Sequence, residues 1–174
     1  LPVSHEWIYR HVYADKACGG ELYKHLRQGK RRYRRGYGKK RSAIPDAVSI
    51  ELRPAIVDER SRVGDWEADL VLGQQGTGAI VTLAERKSRI YLTKKVFSKD
   101  AHEVSHAIIS LLSEYKDVCH TITFDNGGEF SQHKAIAKAL EADMYFAHPY
   151  ASYERGLNEN TNGLLRQFIP KGTD

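Results

Sequence analysis

The sequence predicts an α/β domain on a mixed five-stranded sheet, three antiparallel strands followed by parallel ones, flanked by helices and preceded by a short, basic helical extension. Three observations lead there. Residues 66–72, 78–84 and 90–97 are strand-like runs with short connections, which fold back on one another as an antiparallel meander. After residue 97 helical periods alternate with short β-branched runs, the pattern of parallel strands joined by crossover helices. Positive charge is concentrated before residue 45, so the extension is chemically distinct from the rest of the chain.

Taken in order, Ser4 is placed to cap a helix carrying Ile8 and Val12 at i, i+4 spacing, and Gly19-Gly20 would end it. Leu22 and Leu26 repeat that spacing before Gly29. Two helices this short bury little; they read as the remainder of a helical DNA-binding module or as a plain appendage. Residues 27–44 have the composition of a linker, and Pro45 and Pro54 punctuate an extended approach to the main domain. Behind the three-stranded meander, Ser98 is the expected N-cap of a helix with Val104, Ile108, Leu111, Leu112 and Tyr115 on one stripe. Residues 118–124 form a strand ending at Asp125, a helix carries Ile136, Ala139 and Leu140, and residues 144–147 are the fifth strand. Residues 148–156 lack periodicity, and a last helix covers residues 158–168. The order β-β-β-α-β-α-β-α with right-handed crossovers is the RNase H-like topology. The chain therefore divides into residues 1–44, a helical remnant with a basic linker, and residues 45–174, the core. It begins at Leu1 rather than at methionine, so it is read as a fragment whose core continues past Asp174.

With 41% hydrophobic and 28% charged residues the chain can bury one sizeable core. No run approaches the ~20 apolar residues of a membrane span, and the first residues lack a signal-peptide layout, so a cytoplasmic protein is expected. Cys18 and Cys119 have no partners at metal-ligand spacing, which argues against a disulfide framework and against structural zinc. Residues 1–45 hold 12 Lys/Arg against 3 Asp/Glu, and residues 46–174 hold 15 against 19. The basic run is Arg27, Lys30, Arg31, Arg32, Arg34, Arg35, Lys39, Lys40 and Arg41, with Tyr33 and Tyr37 interleaved. Beside an acidic domain, such a run suits a phosphate backbone.

Three acids stand out in the core. Asp69 lies mid-strand among Trp66, Ala68, Leu70 and Leu72, where aspartate is disfavoured; alternation puts it on the other face, with Glu67 and Val71. Asp125 ends the fourth strand in Phe124-Asp125-Asn126-Gly127-Gly128, where ligands bind in mixed sheets, although Asn-Gly is also a turn signal. Glu159 shares one helix face with Asn162 and Arg166, within ~60°, while Leu157, Thr161, Leu164, Leu165 and Phe168 group opposite. A solvated edge, a turn or a charged surface would account for each acid separately. Together they suit divalent ions, Mg²⁺ with Mn²⁺ as the alternative, because such ions take carboxylate oxygens and a pair of them can drive phosphodiester displacement. Glu67 is two residues from Asp69, ~6.6 Å along the strand, and is expected nearby rather than among the ligands. Glu154 sits in the irregular stretch, whose flexibility suits coordination less well than the helix that carries Glu159.

Several segments resemble the bacterial insertion sequence 30 family of transposases: Gly64-Asp65-Trp66-Glu67-Ala68-Asp69-Leu70, Phe124-Asp125-Asn126-Gly127-Gly128-Glu129-Phe130, His148-Pro149-Tyr150, Glu154-Arg155-Gly156-Leu157-Asn158-Glu159-Asn160-Thr161-Asn162-Gly163-Leu164-Leu165-Arg166, and Pro170-Lys171-Gly172. The resemblance extends through Ser4-His5-Glu6 and Gly19-Gly20-Glu21-Leu22, and so over nearly the whole chain. It implies an integrase-type core in which Asp69, Asp125 and Glu159 bind the metal ions, Asn126 and Asn162 support them, and Arg166 joins the basic run in contacting DNA. Thirty-three residues separate Asp125 from Glu159, which is similar to the family's spacing. Asp65 stands where the resemblance leads to histidine. The implied activity is cleavage at transposon ends and strand transfer into target DNA, by a homo-oligomer assembled on terminal inverted repeats and target, in the bacterial cytoplasm at the nucleoid. The competing readings are a catalytically inactive, truncated DNA-binding protein and an RNase H-like nuclease of another substrate class.

The basic run generates a direct expectation. If its nine charges engage phosphates, the logarithm of DNA affinity falls with the logarithm of salt at a slope no steeper than about −8, and Arg31, Arg32, Arg34 and Arg35 changed together to alanine flatten it by several units. Salt titration of duplex binding reads the slope, and an unchanged value would leave the segment a linker.

Overall fold

In a computed structural model of the chain, residues 3–26, 44–74, 78–149 and 151–171 are described. The basic residues Arg27, Lys30, Arg31, Arg32, Arg34, Arg35, Lys39, Lys40 and Arg41 lie outside them. The chain forms two compact units, Leu1–Lys40 and Arg41–Asp174. In the first, helix α1 (His5–Ala17) is capped by Ser4, whose hydroxyl accepts the Trp7 amide at 3.3 Å. Gly19, at φ +85°, turns the chain after the helix, and a 3-10 turn follows at Leu22–His25 in place of the second short helix. Only Val12 is buried in α1, and none of Leu22–His25 is.

In the second unit, the arm that leads into the sheet carries a 3-10 turn (Ile50–Leu52) and a short helix α2 (Ala55–Glu59). The sheet comprises β1 (Asp65–Leu72), β2 (Ala79–Glu85), β3 (Tyr91–Val96), β4 (Thr121–Phe124) and β5 (Asp143–Phe146) in the order β3-β2-β1-β4-β5. The β1–β2 and β2–β3 pairs are antiparallel, and β4 runs parallel to both β1 and β5. Helices α3 (Ala101–Leu112) and α4 (His133–Leu140) cover a core built on Trp66, Leu83, Ile108, Ile122, Phe124 and Ile136, each at most 1% exposed. Helix α5 (Gly156–Phe168) packs against β1 and β2.

Local chemistry moves some expected boundaries. Asp100, not Ser98, caps α3 by accepting the His102 amide at 2.9 Å, while Ser98 holds the Glu103 carboxylate at 2.7 Å. The fourth strand is shorter than residues 118–124, because residues 113–118 wind as a 3-10 helix and pairing with β1 begins at Thr121. The last helix starts at Gly156, two residues before Asn158, which places Glu159 within its first turn.

One junction sets where the sheet begins. Gly64 donates its amide to the buried Glu85 carboxylate at 2.9 Å and accepts the His120 amide at 2.8 Å, tying the start of β1 to β2 and to the approach of β4. Its φ is +104°, and a Cβ there would lie 1.6 Å from the Val118 carbonyl oxygen. Gly64→Ala should therefore destabilise the protein by at least ~2 kcal/mol, from left-handed strain together with a backbone clash. Urea unfolding measures the loss, and a stability within about 0.5 kcal/mol of the parent, on the order of a neutral surface change, would contradict the tight junction.

Candidate active site

The β1–β4 register makes Asp69 and Asp125 neighbours. The pairing ends at Glu67 opposite Thr123. Two residues beyond that pair lie Asp69 on one strand and Asp125 at the end of the other, and parallel strands with a two-residue period turn both side chains to the same face. Beyond this point β1 continues while β4 ends, opening the crevice at which mixed sheets bind ligands. Asp69 lies on the central strand opposite Thr82 of β2, so it is not an edge acid.

The face on which these acids lie is the one covered by α5. Glu67, with no exposed surface, accepts Arg86 Nη1 at 2.5 Å on one oxygen and the Asn158 amide at 3.0 Å on the other. Arg155, the residue before the helix, provides no side-chain cap, so a strand carboxylate caps α5 from outside. Sequence spacing could not show this role, since 91 positions separate the two residues.

From this anchor the helix directs one stripe at β1. Arg155 Nη1 donates to the Ala68 carbonyl at 3.0 Å, Asn162 Nδ2 donates to Asp69 Oδ2 at 2.6 Å, and Arg166 donates to the Leu72 carbonyl. Glu159 lies four residues after Arg155 and three before Asn162, on that same stripe, and its side chain is exposed. Among the described residues no three His, Cys, Asp or Glu side chains converge tightly enough to hold a metal ion. The register and the shared contact with Arg155 bring the two aspartates together, and Glu159 stands on the helix stripe that meets β1.

Asn162 has a determined orientation. Its Oδ1 accepts the Tyr91 hydroxyl at 2.7 Å and lies 3.1 Å from the Thr82 hydroxyl, which leaves the amide nitrogen to face Asp69. Burial pushes the Tyr91 phenol up to about 12, keeping it a donor. Tyr91 and Thr82 escaped the sequence reading because both are ordinary strand residues. Burial also raises the Asp69 carboxyl above its usual range, opposed by the Arg155 charge and reinforced by Asp125. Arg155 lies between the two acids, Nη1 3.6 Å from Asp69 and Nη2 3.6 Å from Asp125. The Gly127 amide donates to Asp125 Oδ1 at 2.8 Å, and Asn126 anchors the same turn by donating to the Ala147 carbonyl.

Two other acids are engaged elsewhere. Glu154 accepts the His148 amide and lies beside its ring nitrogen, both at 2.8 Å. Asp65 forms two 2.9 Å bonds with Arg62 and accepts the Thr121 hydroxyl at 2.8 Å, so it serves the β1–β4 junction rather than the crevice.

No family model matches the chain. Over 99% of its length it is 47% identical to the transposase for insertion sequence element IS4351 of Bacteroides fragilis, of which it covers 53%. Over 99% of its length it is 34% identical to the transposase InsI of element IS30A from Escherichia coli K12, of which it covers 47%. The chain thus spans about half the length of the curated relatives it matches. In structure it resembles a chain of the simian T-cell lymphotropic virus intasome complexed with PP2A regulatory subunit B56 gamma, with a TM-score of 0.54 at 17% identity, covering 61% of this chain and 39% of that one. The catalytic core domain of BIV integrase gives a TM-score of 0.50 at 21% identity, covering 60% of this chain and 67% of that one. The fold is the RNase H-like fold of these integrase cores.

The Glu67 anchor can be tested apart from any chemistry. Removing one member of a buried ion pair leaves its partner uncompensated, so Glu67→Ala should destabilise the protein by roughly 3–5 kcal/mol. Arg86→Met tested beside it should cost as much, and the double variant should cost less than the two losses added. Denaturant titration of the four proteins closes the cycle; strict additivity would show that the pair is not coupled.

Proposed function

We propose that this chain, a relative along nearly its whole length of the insertion sequence 30-type transposases, is the catalytic portion of a DNA transposase. It cleaves DNA at the ends of an element and joins the freed 3′-hydroxyl to target DNA. The observation that carries the reading is the equal register of Asp69 and Asp125, two residues past the last β1–β4 pair and on the face covered by α5.

Asp69, Asp125 and Glu159 would hold divalent ions, Mg²⁺ with Mn²⁺ as the alternative. Held there, such ions would supply activation of an attacking hydroxyl and charge stabilisation of the leaving oxygen. The fit is supported by the donor chemistry, since hard oxygen ligands suit these ions, and by the cationic guanidinium already drawn between the two aspartates. The chain's own residues supply positioning. Tyr91 and Thr82 orient Asn162, Asn162 orients Asp69, and Asn126 steadies the turn that bears Asp125. Glu159 lies in the first turn of the helix that Glu67 caps and on the stripe of Asn162, which donates to Asp69.

DNA is the proposed partner, both element ends and target, met by Arg166 and the basic run of residues 30–41. Residues 1–44 are assigned to DNA binding and residues 45–174 to the core, acting as a homo-oligomer on DNA. Among the described residues no helix is long and apolar enough to cross a membrane. We place the protein in the bacterial cytoplasm, at the nucleoid when DNA-bound.

The third acid separates this reading from a binding-only protein. Glutamine at position 159 keeps size and hydrogen bonding but removes charge, so Glu159→Gln should abolish Mg²⁺-dependent strand cleavage by the full-length protein, with DNA affinity unchanged. Glu154, engaged by His148, should tolerate the same change with cleavage within about tenfold of the parent, on the order of 1.4 kcal/mol in barrier. Normal cleavage by Glu159→Gln together with a dead Glu154→Gln would reverse the assignment, and metal-independent cleavage would overturn the function.

A further inference from the structure

We infer that Arg155 is a positioning residue that takes the place of the cation in the metal-free protein, holding the Asp69 and Asp125 carboxylates together until a divalent ion displaces it. This rests on the proposal that those aspartates are metal ligands.

Two carboxylates facing one crevice repel, and the repulsion grows as they are buried. Asp69 and Asp125 are about three-quarters and two-thirds buried, with side-chain exposures of 26% and 31%. A single guanidinium reaches both, one terminal nitrogen toward each at 3.6 Å, from a side chain only 13% exposed. The planar fork of arginine suits this bridge, since its nitrogens diverge at a fixed angle; the single ammonium of lysine would have to sit between the acids as a point charge.

The same geometry makes the bridge displaceable. At 3.6 Å neither contact is a hydrogen bond, and the one hydrogen bond from Arg155 to β1 goes to the Ala68 carbonyl at 3.0 Å. Arg155 also lies at the hinge between a 3-10 turn (Ser152–Arg155) and α5, with φ −122° and ψ 42°, outside the helical region. The helix itself is held elsewhere, by Glu67 at Asn158 and by Asp69 at Asn162. Arg155 can therefore leave the acids without unseating the helix that carries Glu159. A divalent ion and a guanidinium compete for the same oxygens and repel each other, so they do not share the site.

Competition has a measurable sign. A residue that only helped to build the site would weaken metal binding when removed, whereas an internal competitor strengthens it. Calorimetric titration of MnCl₂ and MgCl₂ into the chelator-treated full chain should show Arg155→Ala binding roughly tenfold more tightly than the parent, the order expected for two partly exposed ion pairs. Arg155→Lys, which retains the charge, should stay within about threefold of the parent. In chelator Arg155→Ala should melt below the parent, and Mg²⁺ should raise its melting temperature by more than it raises the parent's. Affinity that is unchanged or weaker in Arg155→Ala overturns the inference. Asp125→Asn separates this failure from that of the underlying reading. If Asp125→Asn loses the metal while Arg155→Ala binds like the parent, only the role of Arg155 is wrong. If Asp125→Asn binds metal as tightly as the parent, the aspartates are not the ligands and both fall. Should Arg155→Ala not fold, Arg155→Gln carries the same expectation, because it removes the charge while keeping an amide donor.

Discussion

Everything on the α5 side of the sheet depends on the Glu67 carboxylate. An acid with no exposed surface in a central strand is expensive to bury, and the protein offsets that cost by giving each oxygen a donor, Arg86 on one and the Asn158 amide on the other. Arg86 also donates to the Val57 carbonyl at 3.0 Å, and Arg53 donates to Thr123 of β4 at 2.9 Å while sharing Asp58 with Arg86. Alternating charges thus link the arm before the sheet, the two middle strands and the last helix. A cap reaching a helix from a strand fits one register. Sliding α5 by one residue would leave Glu67 without its amide and rotate the Arg155, Glu159, Asn162 and Arg166 stripe by ~100° away from β1.

With the helix anchored, the crevice is shaped by a mismatch of strand lengths. β4 stops at Phe124, whereas β1 continues to Leu72, so beyond Glu67 the strand pairing of β1 is with β2 only. Asp125 emerges where β4 ends, its turn held by the Gly127 amide. Two groups of opposite character then act on Asp69. The Tyr91–Asn162 arm fixes its geometry with neutral donors, and Arg155 balances its charge from a non-helical position at the edge of the loop. Orientation and charge balance come from different elements, so one can change while the other persists.

The acid at position 67 shows how far motif reasoning reaches. It shares a strand face with Asp69, and distance along the strand sets it apart from that residue. The reading of Glu67 as a neighbour rather than a ligand agrees with its contacts, but nothing local announced that it caps a helix. Asp65 is similar: the resemblance leads to histidine there, and the pairing with Arg62 and Thr121 gives the aspartate its own place at the β1–β4 junction. Glu154 and Glu159 are five positions apart and equally acidic in sequence; the turn that directs Glu154 back to His148 separates them in space.

The order of strands and helices, the burial of one strand face and the alignment of Glu159, Asn162 and Arg166 were legible in the sequence, because periodicity, caps and turn residues are local. The strand positions of Asp69 and Asp125 were legible too, since an acid inside an apolar strand and an acid at a strand's end conflict with their surroundings in ways that spacing reveals. The start of α3 shifted because Asp100 outcompeted Ser98 for the cap, and that of β4 because residues 113–118 wind as a 3-10 helix. Only the tertiary structure decided which donors meet the carboxylates. Arg155 with Ala68, Asn158 with Glu67 and Asn162 with Asp69 are separated by 87, 91 and 93 positions, and such contacts exist only once the sheet register and the docking of α5 are set together. A local pattern can reveal that an acid needs a partner, but the identity of that partner depends on the closure of the whole chain.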